Sequence, residues 1–171
     1  MNAADVYLGN PNLKKANTQV EFTEENIREF IKCKDDPVYF AKNYVQIVSL
    51  DEGLVPFNPY DFQEKLINNF HEERFNICKM PRQTGKSTTV VAYLLHYAVF
   101  NDSVNIGILA NKAATARELL GRLQTAYENL PKWMQQGIIS WNKGSLELEN
   151  GSKILAASTS ASAVRGMSFN I

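Results

Sequence analysis

The chain has 171 residues, 44% hydrophobic and 21% charged, an ordinary globular composition with enough length to bury one sizeable core. Its formal net charge is zero, so it carries no overall basic field for nucleic acid, although local patches are allowed. Cys33 and Cys78 are isolated and there are two histidines, which excludes a disulfide framework, a CxxC zinc site and a His-rich metal site and fits a reducing compartment.

In chain order, residues 1–20 read as polar and irregular, with little to bury and without the apolar core of a signal peptide. A helix is expected from Thr23, which caps it: Glu24 and Glu25 suit the first turn, and Ile27, Phe30 and Ile31 form one apolar stripe. A second helix starts at Asp36-Pro37 and carries Val38, Phe40, Ala41 and Tyr44. A short strand from Gln46 to Leu50 leads into a Gly/Pro-containing connection through Pro59, and residues 60–70 read as another amphipathic helix. From Phe75 the pattern becomes strand–loop–helix. Phe75 to Cys78 is an expected strand, Ser87 to Phe100 a mostly buried helix, Val104 to Ala110 a β-branched strand and Lys112 to Asn129 a long helix. The run from Val90 to Phe100 is too short to cross a bilayer and is interrupted by His96. Pro131 to Gln136 forms a helical turn. Strands follow at Ile138–Trp141, Ser145–Glu149 and Lys153–Ser158, the last two joined by an Asn150-Gly151 hairpin turn. Strands alternating with helices predict an α/β fold with a parallel sheet and a smaller antiparallel excursion.

The chemistry is concentrated in Lys79-Met80-Pro81-Arg82-Gln83-Thr84-Gly85-Lys86-Ser87-Thr88. Gly85-Lys86-Ser87 is the end of the phosphate-loop pattern GxxxxGK[ST], in which glycine admits phosphate to the backbone, lysine reaches the β and γ phosphates and the hydroxyl ligates Mg²⁺. The first glycine of that pattern would fall at Met80. With nine glycines, Gly-Lys-[Ser/Thr] arises by chance about 0.07 times in such a chain. A preceding strand and a following helix are the context an anion site needs, because a helix N-terminus offers free amides. Arg82, inside the loop, lies within reach of a γ phosphate, where a guanidinium stabilises charge on a transferring phosphoryl group; a solvated loop side chain is the alternative. Gln63, in Tyr60-Asp61-Phe62-Gln63, carries the donor and acceptor that match an adenine N6/N7 edge, although as a single residue it reads more simply as a surface glutamine. Tyr60 and Phe62 read as helix packing. Asp35, Asp36, Asp51, Asp61 and Asp102 receive no catalytic role, and Glu147 and Glu149 read as the solvated face of a hairpin strand.

Taken together, LGNPNLKKANTQVEFT, DDPVYFAKNYVQI, YDFQ, MPRQTGKSTTV, GILANK, LPKWMQQGIISWNKGSLELENGSKI and SASAVRGMSFN resemble the large terminase subunit of tailed bacteriophages, of the type found in large contractile-tailed phages. The similarity runs over nearly the whole chain. That family's phosphate loop lacks the first glycine and carries Arg-Gln before x-Gly-Lys-[Ser/Thr], which accounts for Met80.

The resemblance implies a P-loop NTPase of the RecA/ASCE type, a parallel sheet with flanking helices. It would divide into a helical lead-in over 1–58 and an incomplete ATPase core over 59–171, ending before the Walker B strand. It implies ATP and Mg²⁺ as cofactors, with Gln63, Arg82, Gln83, Thr84, Gly85, Lys86, Ser87 and Thr88 contacting nucleotide. Lys86 and Arg82 would be catalytic, Arg82 as an arginine finger in cis, and Ser87 would ligate Mg²⁺. Gln63 would recognise adenine. Arg165-Gly166 matches the segment before the family's Walker B strand and is given no chemistry beyond a switch or DNA-side loop. The implied activity is ATP hydrolysis driving double-stranded DNA into a procapsid, in the cytoplasm of an infected bacterium. Portal protein, the small terminase subunit and further copies in a homo-oligomeric ring would be the partners, with no membrane involved. Because the family's Asp-Glu pair is not among these residues, little or no hydrolysis is expected from the 171-residue chain alone. The alternatives are a helicase-like P-loop ATPase, which shares a glutamine motif before the loop, and a non-catalytic split or decayed terminase half acting in assembly.

Overall fold

The computed structural model describes residues 5–49, 51–160, 164 and 166–171. Two short antiparallel hairpins frame the N-terminal part: β1 (Val6–Tyr7) with β2 (Asn10–Lys14), and β3 (Gln46–Ser49) with β4 (Gly53–Pro56). Between them lie α1 (Glu24–Asp35) and α2 (Pro37–Tyr44). Thr23 caps α1 through a reciprocal box, its hydroxyl accepting from Asn26 N–H at 3.1 Å while Asn26 Oδ1 accepts from Thr23 N–H at 3.3 Å. Asp36 caps α2 by accepting from Tyr39 N–H at 2.8 Å, with Pro37 at the first helical position.

The remaining elements are α3 (Asp61–Glu72), α4 (Lys86–Phe100), β5 (Asn105–Ala110), α5 (Ala113–Glu128), β6 (Ile138–Trp141), β7 (Ser145–Leu148) and β8 (Lys153–Ser158). Helix α4 is apolar nearly all round because α2, α3 and α5 enclose it, so it forms the centre of the core. Helix α5 lies on β5 and β8. The four-stranded sheet runs in the order β5-β8-β7-β6. The β5–β8 pair is parallel and the other two are antiparallel, so the fold is mixed α/β rather than built on a mainly parallel sheet. The Asn150-Gly151 turn forms as expected, with Gly151 at φ +82° and Gly151 N–H donating to Leu148 C=O at 3.0 Å.

Three sequence expectations are corrected. Phe75–Cys78 is not a strand: no strand pairs with it among the described residues, and Phe75 and Ile77 are 84% and 100% exposed. Its β-branched and aromatic composition specifies a strand only where a neighbour pairs with it. Residues 1–20 are not featureless, since β2 buries Leu13 and Lys14. Its anchors are distant in sequence. Gln135 Oε1 accepts from Lys14 N–H at 3.0 Å, Gln135 Nε2 donates to Asn12 C=O at 3.0 Å, and Lys15 forms a parallel bridge to Ile138. Glu149 is not a solvated strand residue: it pairs with the buried Lys14 ammonium at 3.3 Å and accepts from Asn17 N–H at 2.8 Å. Arg165 lies outside the described residues; Gly166 sits at φ +80°. Residues 170–171 run along the outer edge of β5, Asn170 N–H donating to Asn105 C=O and Gly107 N–H to Ile171 C=O, each at 2.8 Å.

Candidate functional site

The loop between α3 and α4 turns sharply into the core helix. Gln83 has φ +64° and Gly85 φ +72°, so left-handed residues flank Thr84, and Gly85 is the N-cap of α4. For glycine this conformation costs nothing; for Gln83 it is strained and must be held by its surroundings. Thr84 Oγ1 donates to Pro81 C=O at 3.1 Å, closing the turn. The first bond of α4 is Thr89 N–H to Gly85 C=O at 3.0 Å. The amides of Lys86, Ser87 and Thr88 belong to the first turn and have no helical acceptor, which makes the start of α4 a place for an anion.

Charge is arranged to match. Among the described residues Lys79, Arg82 and Lys86 form no ion pair, so three cations within eight residues lack a carboxylate partner. Ser87 is half-buried on the same first turn. No cluster of three or more His, Cys, Asp or Glu side chains suited to a metal occurs among the described residues. The donor set therefore fits a polyphosphate, and for a divalent cation it offers the Ser87 hydroxyl beside whatever oxygens the phosphate brings.

Next to the loop lies a cavity of about 510 Å³, lined by Ile47, Pro56, Phe57, Asn58, Tyr60, Phe62, Gln63, Gln83, Thr84, Gly85 and Thr88. Its size is within the usual range for small-molecule sites. Tyr60 and Phe62 do not pack into the core: their rings stack on each other with centroids 5.8 Å apart and are exposed along the cavity. Gln63 is 3% exposed, with both amide ends engaged. Its Oε1 accepts from Tyr60 N–H at 2.9 Å, and its Nε2 donates to Thr84 C=O at 3.3 Å. The structure thus brings Gln63, Gln83, Thr84, Gly85 and Thr88 to one cavity, with Lys86 and Ser87 following on α4 and Arg82 exposed on the loop. The walls Ile47 and Pro56 come from a hairpin that sequence reasoning read as one strand and a connection; no local signal ties them to the loop.

The sheet, the enclosing helices and the basic loop opening onto a cavity define an α/β protein with an anion-competent site at the start of its central helix. Residues 77–171 match the family model described as terminase large subunit, T4likevirus-type, N-terminal. The chain belongs to that family. The structure is also similar to the crystal structure of the HK97 bacteriophage large terminase, with a TM-score of 0.63 and 18% identity, over 79% of this chain and 29% of that one. At that identity the likeness speaks for the fold, and this chain spans under a third of that relative's length.

Proposed function

We propose that this chain supplies the nucleotide-gripping part of a terminase large subunit, an ATP-hydrolysing motor that translocates double-stranded DNA into a procapsid. The observation that carries the reading is the set of unpaired cations Lys79, Arg82 and Lys86 on a loop entering α4 beside a ligand-sized cavity. The parallel β5–β8 pair, with α5 between its strands, is the part of a RecA-like sheet that this arrangement would use. The base would occupy the cavity and the phosphates the loop.

In this reading Lys86 and the free first-turn amides hold the β and γ phosphates, and Arg82 faces the charge that develops on the transferring phosphoryl group. Gln83, Thr84, Gly85 and Thr88 shape the cradle, and Ser87 would hold Mg²⁺, which when bound offsets phosphate charge. No carboxylate cluster stands by the loop among the described residues, so the 171-residue chain is expected to bind ATP and to hydrolyse little. Portal protein, small terminase subunit, DNA and further copies in a ring are the partners this function calls for, in the cytoplasm of an infected bacterium. No helix among the described residues is long and apolar enough to cross a membrane.

Titration of the purified chain with ATP and Mg²⁺ tests the proposal. Lys86→Ala is expected to weaken binding at least tenfold, about 1.4 kcal/mol, without unfolding the chain. Equal binding by wild type and variant would overturn it.

A further inference from the structure

We infer that Gln63 is a positioning residue that sets the phosphate loop through the Thr84–Gly85 peptide and does not read the base. The inference rests on the reading of residues 79–88 as a phosphate-binding loop. To meet a base edge with a donor and an acceptor, Gln63 would have to turn its amide away from both main-chain partners. Tyr60 N–H and Thr84 C=O would then be left unpaired in a buried setting.

The geometry gives those bonds a purpose. A trans peptide is planar, with its C=O and N–H pointing in opposite directions. Holding the Thr84 carbonyl on Gln63 Nε2 therefore aims the Gly85 N–H away from Gln63, where it can join the free first-turn amides of α4. That peptide sits between two left-handed residues, Gln83 and Gly85, and the strain at Gln83 requires an outside hold. A Cβ built on Gly85 would collide with Gln63 Nε2, so the amide lies directly against the Gly85 backbone. The other end of the same amide closes the capping box of α3, the helix that begins beside the cavity's stacked rings Tyr60 and Phe62. Cavity wall and phosphate amide are thus joined through one side chain. A ligand pressing on the aromatic wall acts on the peptide that faces the phosphates.

Gln63→Glu separates the two bonds. Its carboxylate still accepts from Tyr60 N–H, glutamate being a usual capping-box residue, but it opposes the Thr84 carbonyl where the amide donated. The experiment measures the melting midpoint of the full chain and its binding of Mg²⁺-tripolyphosphate, ATP and GTP. Expected is a melting midpoint close to wild type, with all three ligands weakened by a common factor of about ten and the ATP:GTP preference unchanged. Unaltered tripolyphosphate binding with a collapsed ATP:GTP preference would assign Gln63 to the base and overturn the inference. So would a lowered melting midpoint with normal tripolyphosphate binding by the folded chain, which would make the role merely structural. If Gln63→Glu does not fold, Gln63→Met, which keeps the reach and lacks the donor, carries the same expected and overturning results. Wild-type chain that binds none of the three ligands would remove the phosphate-loop reading itself, and the positioning role with it.

Discussion

His96 enters the core of the α-helical layer with one ring nitrogen satisfied and the other bare. Its Nε2 lies 2.9 Å from Cys33 C=O and 3.2 Å from Lys34 C=O. Both partners only accept, so Nε2 carries the hydrogen, and Nδ1 has no partner among the described residues. Burial lowers the pKa from 6.5 to about 4, against the opposing pull of the Cys33 carbonyl. The unfolded chain therefore binds a proton near pH 6.5 that the folded chain refuses until about pH 4. Stability from this residue is complete above pH 6.5 and is lost as pH falls through that window. Urea unfolding should show a loss of roughly 2 kcal/mol from this residue between pH 7 and pH 5, and His96→Asn should flatten the slope. At this scale the loop residues Gly85, Lys86 and Ser87 were legible because their spacing is itself the signal. Gln63 was legible as a position, but its hydrogen-bond partners were not, since Thr84 lies 21 residues away.

At the scale of elements, local chemistry carried far. Thr23, Asp36-Pro37 and Asn150-Gly151 mark their helix starts and turn because a cap or a left-handed residue acts on neighbours within four positions. The β1–β2 hairpin was illegible for the opposite reason: Gln135, Ile138 and Glu149 hold it from more than a hundred residues away. Burial raises the Glu149 pKa, but the Asn17 and Gly137 amides and the Lys14 ammonium outweigh it and hold the carboxyl below its usual range. Glu149→Gln leaves the buried Lys14 charge unpaired. The cost should be about 2 kcal/mol, below that of a fully buried pair because Glu149 is partly exposed. Hydrogen exchange at the Leu13–Asn17 amides should then speed up about thirtyfold, while α4 amides stay protected.

For the molecule as a whole, surface and sheet order follow from which strands find partners. Phe75 and Ile77 expose apolar side chains on an extended segment with no strand beside it among the described residues, a surface prone to self-association. Replacing them as Phe75→Ser and Ile77→Thr should reduce light scattering at high protein concentration and leave the melting temperature within about 1 °C, because neither side chain contributes to the core. The sequence by itself determined where the phosphate-type loop lies, that a buried helix follows it, and where most helices and the β7–β8 turn begin. Those are effects of covalent geometry and of neighbours a few residues apart. Only the tertiary structure decided that the sheet is mixed, that 75–78 stays unpaired, that Glu149 anchors the N-terminal hairpin and that Gln63 holds the Thr84–Gly85 peptide. Each of these depends on which distant group supplies a strand edge, a charge or a carbonyl, and such partners are fixed by packing across the fold.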